Sequence, residues 1–336
     1  MSSEKLANQI EKAALSTSRA TVIGFGTMGR LHVKALQALG VGHIRVCTRS
    51  IEALASLESV SGLETVPGGI EQLKSVPDAD ELAIVATPPA ALIPVSESLI
   101  DLGFRRLLIE KPVSLWSEPI GRLAEKAGRI GAVAVCGYNR LAYPSIIEVL
   151  ARASDEGGVT SCAYNFTELV RDDWPGRFPA EELARWGIAN SLHVISMAHG
   201  VIGLPRTWQG HRSGRMSWHP AGSVFVGAGI SQEDVPFSYH ADWGSKGRWF
   251  VEVHTVLSCY RLCPLEKVFR RITGTGEWQE VSLKAFAPEA KAGLVEQIAA
   301  MLDPDVREMV PLMSLEDTML LTRFGERVFG YEEGAQ

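Results

Sequence analysis

Three short runs in the sequence hold residue types whose spacing can do chemistry. The first is Gly24-Phe25-Gly26-Thr27-Met28-Gly29, a G-x-G-x-x-G turn. In such a turn the first glycine permits a sharp reversal and the second lets backbone approach a pyrophosphate. The third lets the following helix pack on its strand, and that helix N-terminus then faces the phosphates. The second run is Cys47-Thr48-Arg49-Ser50, at the end of the next apolar stretch. NAD-binding turns usually place a carboxylate there for the adenosine ribose 2′-hydroxyl. This chain has no Asp or Glu between Lys12 and Glu52. An Arg beside two hydroxyls suits a 2′-phosphate; the alternative reading of Arg49 is a solvated loop residue. The third run is Glu110-Lys111-Pro112. A lysine near a nicotinamide can carry the proton that accompanies hydride transfer. Taken alone, the same run reads more readily as a surface lysine capping a strand.

These runs are informative only if the right elements hold them. Residues 20–24 read as a buried strand, residues 28–39 as a helix stopped at Gly40, and residues 44–47 as a second strand. A helix follows at Ile51–Leu57. The apolar run 81–87 is a strand stopped by Pro88-Pro89, and 92–102 is a helix ended by Gly103. Strands at 106–109 and 132–135 flank a helix at 119–129. Alternation of this kind predicts a parallel, doubly wound sheet. Glu110 and Lys111 then stand at the C-terminal end of a parallel strand, where such sheets bind ligands.

Past residue 136 the texture changes. Strand-like stretches at 158–170, 207–212, 223–231, 237–243, 249–255 and 266–273 predict a largely antiparallel open sheet. Helices are expected at 179–202, 288–301 and 315–329, and a short amphipathic helix at 4–15. The expected organisation is therefore α/β, with a Rossmann domain over residues 1–135 and an α+β substrate-binding and oligomerisation domain over residues 136–336. No internal repeat is visible.

Composition narrows the function. A net charge of −6 gives no basic surplus for nucleic acid. Five cysteines, few and odd in number, argue against a secreted disulfide framework. Cys259 and Cys263 lack a second pair at zinc spacing, so no metal is expected. The first 19 residues carry charges and no apolar core, unlike a signal peptide. No uncharged apolar stretch approaches a bilayer span, so no membrane partner is expected. The chain reads as cytoplasmic.

The glycine turn, Ala86-Thr87-Pro88-Pro89, Glu110-Lys111-Pro112 and Gly137-Tyr138-Asn139-Arg140 occur in this order at these intervals. Together they resemble the glucose–fructose oxidoreductase / inositol dehydrogenase (Gfo/Idh/MocA) family, closely over residues 20–142 and more loosely beyond. The resemblance implies that Thr87 and Pro88 lie near the nicotinamide and that Lys111 is the catalytic lysine. It further implies that Glu110 orients Lys111, that the bond before Pro112 is cis, and that Tyr138, Arg140 and Asn190 contact substrate. Members carry Asp-x-x-x-His on the helix facing the substrate. Here Ala189-Asn190-Ser191-Leu192-His193 keeps only the histidine, with Ala189 in place of the Asp and Ser196 where a further Asp often stands. His32 and His199 read as structural. Of the tryptophans crowding the second half, most read as core and some as the wall of a sugar-sized pocket.

The resulting expectation is an NADP(H)-dependent oxidoreductase, preferring NADP(H) to NAD(H). It would interconvert a hydroxyl and a ketone on a sugar-like substrate, nucleotide-linked and amino sugars being the candidate classes, with Lys111 as acid/base and His193 beside it. A homodimer or homotetramer through the C-terminal sheet is expected. Two rivals share the fold: a dinucleotide sensor without chemistry, and an enzyme whose cofactor never leaves.

Overall fold

The computed structural model describes residues 2–50, 62–73, 77–272, 274 and 276–331. The helix expected at Ile51–Leu57 lies outside the described residues. The first sheet contains β1 (Arg19–Ile23), β2 (His43–Thr48), β3 (Leu63–Pro67), β4 (Leu82–Val85), β5 (Arg106–Ile109) and β6 (Val133–Cys136). The order is β6-β5-β4-β1-β2-β3, all parallel. The chain order reverses between β1 and β4, and the crevice at their carboxyl ends is where ligands of such sheets bind. All four residues of β4 are buried, which suits a strand covered on both faces. Helices Thr27–Ala38, Pro89–Leu102 and Ser117–Arg129 supply the cover.

The second sheet contains β7 (Ser161–Asn165), β8 (Pro205–Ser213), β9 (Val224–Ser231), β10 (Pro236–Asp242), β11 (Phe250–His254), β12 (Ser258–Leu262), β13 (Val268–Ile272) and β14 (Gln279–Val281). Its order is β14-β13-β12-β11-β7-β10-β9-β8, antiparallel except where β10 meets β7. Period-two alternation in β10 buries Phe237, Tyr239 and Ala241 against the helical layer and leaves Ser238 and His240 on the outer face. That outer face is open. Among the described residues one cluster of potential metal ligands stands there, Glu252, His254 and Cys259, with ligand atoms within 4.8 Å of one another. Arg261 already engages the Glu252 carboxylate at 2.6 Å.

The expected division at residue 135/136 follows the outgoing chain, but the chain also comes back. β15 (Met313–Ser314) adds antiparallel to β6 at the edge of the first sheet. Helix Leu294–Leu302 is buried along its whole length in the same cluster as Val22, Val33 and Leu36. Helix Leu315–Phe329 packs on Ser117–Arg129. Its N-cap Ser314 accepts from the Asp317 amide at 3.0 Å.

Several elements escape periodicity. Helix Pro144–Asp155 starts on a proline at its first turn and is buried on most of its faces, so no polar stripe marks it. β12 has four buried residues of five and therefore does not alternate. The single helix expected over 179–202 is broken. Ala180–Ala184 is one turn, Gly187–Ser191 is a π-helical turn, and Leu192–Ile202 resumes α. Close packing accompanies the break: a Cβ on Gly187 would lie 2.3 Å from the Phe329 ring.

Candidate active site

A groove of about 970 Å³ runs across the carboxyl ends of the first sheet. Its walls include the Gly24–Met28 turn, Thr48-Arg49-Ser50, Thr87-Pro88, and Glu110-Lys111. The sequence therefore folds its dispersed runs into one trough. Gly24 has φ +93°, and a Cβ there would lie 2.5 Å from the Ala86 carbonyl oxygen. Gly29 lets helix Thr27–Ala38 close on the turn, since its Cβ would meet the Gly24 carbonyl oxygen at 2.1 Å. Gly26 caps the helix without a side-chain hydrogen bond, and nothing stands within 4 Å of where its Cβ would be. Open space over unsatisfied helix N–H groups fits a pyrophosphate. Phe25 is buried beneath the Arg30 guanidinium, 4.4 Å from its ring centre. At the other end of the trough the Thr87 hydroxyl is buried with no hydrogen-bond partner among the described residues.

At the β2 end of the groove stands a residue that the sequence motifs do not include. Glu71, in the turn after β3, lines the groove with Arg49. The two side chains flank Gly69: a Cβ there would be 2.8 Å from a Glu71 carboxylate oxygen and 3.1 Å from the Arg49 Cγ. The carboxylate missing from β2 thus arrives from β3's turn, a contact that only the fold creates.

At the β5 end of the groove Glu110 is buried and held on both oxygens. His32 Nε2 lies 2.7 Å from Oε1, and the Lys111 backbone N–H donates to Oε2 at 3.2 Å. His32, fully buried, is therefore the support of Glu110. Its place three residues past Gly29, on the sheet-facing side of the helix, was the available signal. The Lys111–Pro112 bond is cis, as the resemblance implied. Lys111 Nζ donates to the Ala189 carbonyl at 3.0 Å, so the π-helical turn gives the amine an acceptor where the family pattern has a carboxylate. Burial pushes the Lys111 amine down to about 8; the Glu110 charge opposes this, while Arg140 and Lys291 add to it.

Around Lys111 the structure gathers the other expected residues. His193 is buried, and its Nδ1 has no hydrogen-bond partner among the described residues. Burial, then the charges of Lys111, Arg140 and Lys291, push its imidazole well below the ordinary range, so it stays neutral. Tyr138 is 1% exposed and meets the His193 ring edge-on at 6.2 Å, forming the floor beneath it. Trp249 covers His193 from another side, ring centres 6.5 Å apart, and carries the Arg140 guanidinium at 5.0 Å. Asn190 points its amide to Glu168, donating at 3.0 Å.

Glu168 is a carboxylate that sequence reasoning missed. It follows β7, is 3% exposed, and accepts from Asn190 Nδ2 and, at 2.6 Å, from the Ser191 hydroxyl. Burial pushes its carboxyl up to about 7, against the hydrogen bonds and the charge of Lys111. No spacing in the sequence connects it to Lys111.

Other expected features are structural. His199 is buried between the Tyr164 hydroxyl, 3.1 Å from Nε2, and the Gly203 carbonyl, 2.8 Å from Nδ1. Trp174, Trp186, Trp218 and Trp243 stack into the core. All five cysteines are free. Among the described residues no helix is long and apolar enough to cross a membrane.

Comparison with known proteins bears on the fold. Residues 5–106 match the shikimate / quinate 5-dehydrogenase family model. No curated protein sequence matches the chain. Solved structures do. UDP-N-acetylglucosamine 3-dehydrogenase GnnA from Acidithiobacillus ferrooxidans aligns at 15% identity with a TM-score of 0.69, covering 92% of this chain and 96% of that one. A myo-inositol dehydrogenase from Corynebacterium glutamicum aligns at 15% and 0.69, covering 94% and 96%. An oxidoreductase from Agrobacterium radiobacter, solved with NAD+, L-tartaric acid and magnesium, aligns at 13% and 0.73, covering 95% and 97%. The chain shares their two-domain fold from end to end, a Rossmann sheet followed by a mostly antiparallel one.

Proposed function

We propose that this chain, built on the fold of the dinucleotide-dependent oxidoreductases, is itself one. It interconverts a hydroxyl and a ketone on a sugar-like substrate and prefers NADP(H) to NAD(H). The observation that carries the reading is Lys111. It stands at the carboxyl end of β5, on the wall of the dinucleotide-sized groove, with an amine pushed down to about 8. A group that titrates near neutrality within reach of a reacting carbon is what general acid–base catalysis needs.

The Gly24–Gly29 turn would hold the pyrophosphate, Arg49 the 2′-phosphate, and Thr87 with Pro88 the nicotinamide end. Bound nicotinamide supplies or takes the hydride. The chain's own residues handle the proton. In the oxidative direction the neutral Lys111 amine takes the hydroxyl proton as the carbon gives up hydride. In the reductive direction the Lys111 ammonium returns it to the carbonyl oxygen. The Ala189 carbonyl fixes the amine's position, and His193 donates or accepts at the substrate oxygen without changing charge. Trp249 gives a face against which a sugar ring packs. The open sheet face supports assembly into a dimer or tetramer.

The test is NADPH formation or consumption over a panel of sugars, sugar acids, sugar phosphates and nucleotide sugars, run with the wild type and with Lys111→Met. Turnover that needs Lys111 supports the reading. Cofactor binding with no turnover on any member favours a sensor.

A further inference from the structure

The substrate end of the site is unusually rich in positive charge. Lys111, Arg140 and Lys291 all act on His193, and each of the three is a cation. The fold brings them together deliberately from three separate elements. Arg140 lies in the short helical turn Asn139–Ala142 that follows β6. Lys291 lies on the loop before helix Leu294–Leu302. Asn139 ties that loop down by donating its side-chain amide to the Ala292 carbonyl at 2.9 Å. Gly293, at φ +79°, closes the gap: a Cβ there would lie 1.9 Å from the Asn139 carbonyl oxygen.

The hydrogen-bonding capacity at this point is unspent. Arg140 Nε is buried and has no hydrogen-bond partner among the described residues, although the Trp249 ring lies 5.0 Å from the guanidinium. His193 Nδ1, beside the same indole, is likewise buried and unpartnered. The neighbouring carboxylates are engaged elsewhere. Glu110 is bound by His32 and the Lys111 backbone, and Glu168 by Asn190 and Ser191. A buried donor left without an acceptor is costly, so such groups are normally satisfied by what binds there. Lys291 Nζ leans toward the phosphate turn, 3.3 Å from Met28 Sδ, and serves the cofactor side. Arg140 remains for the substrate.

We infer that Arg140, fixed on Trp249 beside His193, forms a subsite for an anionic group on the substrate, so that the substrate is an acidic sugar bearing a carboxylate or a phosphate. The inference rests on the oxidoreductase reading for its location but not for its chemistry. An Arg guanidinium fork matches either anion, whereas the hydroxyls of a neutral sugar can accept its hydrogen bonds but leave its charge uncompensated.

The experiment is calorimetric titration of the NADPH-saturated protein, which cannot turn over an alcohol and so forms a dead-end complex. The probes are D-glucuronate against D-glucuronamide, D-galacturonate against its amide, and D-glucose 6-phosphate against D-glucose. At least one acid is expected to bind ten-fold or more tightly than its neutral partner. The carboxylate and phosphate pairs identify which anion the subsite takes. That advantage is expected to shrink as salt rises, and Arg140→Gln, checked for an unchanged melting temperature, is expected to abolish it. If no acid outbinds its neutral partner ten-fold, or if Arg140→Gln keeps the full preference, the inference is wrong. Should Arg140→Gln fail to fold, Arg140→Lys replaces it: the ammonium lacks the planar fork, so the acid preference is expected to fall several-fold, and an undiminished preference overturns the inference. Turnover is read separately with NADP+. Tight binding of an acid without NADPH formation leaves the subsite standing and removes the redox reading. NADPH formation from neutral sugars with no acid preference does the reverse.

Discussion

Lys111 Nζ and the carbonyl oxygen of Ala189 lie 3.0 Å apart, which joins the end of β5 in the first sheet to the π-helical turn that opens the helix carrying His193. The contact crosses the interface between the two sheets. It also explains how the amine can be held where residue 189 has no carboxylate. A carbonyl accepts from the ammonium and from the neutral amine alike, so it positions the nitrogen without fixing its charge. A carboxylate in that place would attract the proton and raise the amine's pKa. Without one, burial wins and Lys111 titrates near neutrality.

Cofactor choice turns on Arg49 against Glu71, the two side chains that flank Gly69 at the adenosine end. NADPH is expected to bind more tightly than NADH. Arg49→Ala should narrow the gap by the loss of one charge-assisted contact, roughly 1.5–3 kcal/mol. Glu71→Gln should widen it, because a carboxylate beside a 2′-phosphate repels it. Fluorescence titration of the wild type and both variants checks this, and equal wild-type affinities for the two cofactors would contradict it.

Glu168 supports the turn from behind. Its two oxygens take the Asn190 amide at 3.0 Å and the Ser191 hydroxyl at 2.6 Å, on either side of which sit Ala189 and His193. Glu168→Ala leaves both donors without their acceptor, at a cost of about 1–3 kcal/mol for each buried one. It should lower the melting temperature and cut turnover about ten-fold as Ala189 and His193 lose register. Glu168→Gln keeps one acceptor oxygen and should fall between. A Glu168→Ala variant with wild-type melting and wild-type turnover would remove the role.

The legible parts of this site are those whose function requires a local pattern. Gly24, Gly26 and Gly29 can be read because a tight turn and close helix packing demand glycine at fixed spacing. Lys111 can be read because it ends a strand within a set of ordered motifs. Glu71, Glu168 and Trp249 could not be assigned, because nothing near them in sequence anticipates their neighbours. Glu168 meets Asn190 across 22 residues, through β7 and the π-helical turn. His32 read as structural, and it is buried; its contact with Glu110 spans 78 residues and depends on how helix Thr27–Ala38 lies on the sheet. The π-helical turn was invisible for a similar reason. Its residues have ordinary helical character, and the break is tied to Gly187 packing on Phe329.

Assembly should use the open face of the second sheet. Across β7, β10, β9 and β8 the register lines up Ala163, Ser238, Ala228 and Gln209, small or uncharged residues on the outer side. Val226 and Ile230 stand exposed in the neighbouring rows at 36% and 38%. Such a strip lets a second sheet approach closely and covers apolar surface that a monomer would leave wet. A dimer or tetramer is expected by sedimentation at micromolar concentration, and Ala228→Arg should shift it toward monomer. A monomeric wild type would contradict the proposal.

The last prediction concerns pH and follows from the groups that face Lys111. Burial lowers its pKa, Arg140 and Lys291 lower it further, and Glu110 raises it, with the balance near 8. Hydroxyl oxidation needs the free amine, so its rate should rise as pH increases through about 8 and then level off. Ketone reduction needs the ammonium, so its rate should be level at lower pH and fall above about 8. His193 is already neutral throughout this range, since burial and three neighbouring cations hold its pKa down. It should therefore add no inflection near the ordinary histidine value. Lys111→Met should erase the inflection in both directions and lower turnover by roughly 10²–10⁴-fold, the usual worth of one positioned acid–base group. NADPH affinity should change little, because the Gly24–Gly29 turn and Arg49 hold the phosphates. Initial rates from pH 6 to 10 in both directions, with the wild type and Lys111→Met, supply the measurement. An inflection near 8 that survives in Lys111→Met would show that another group carries the proton.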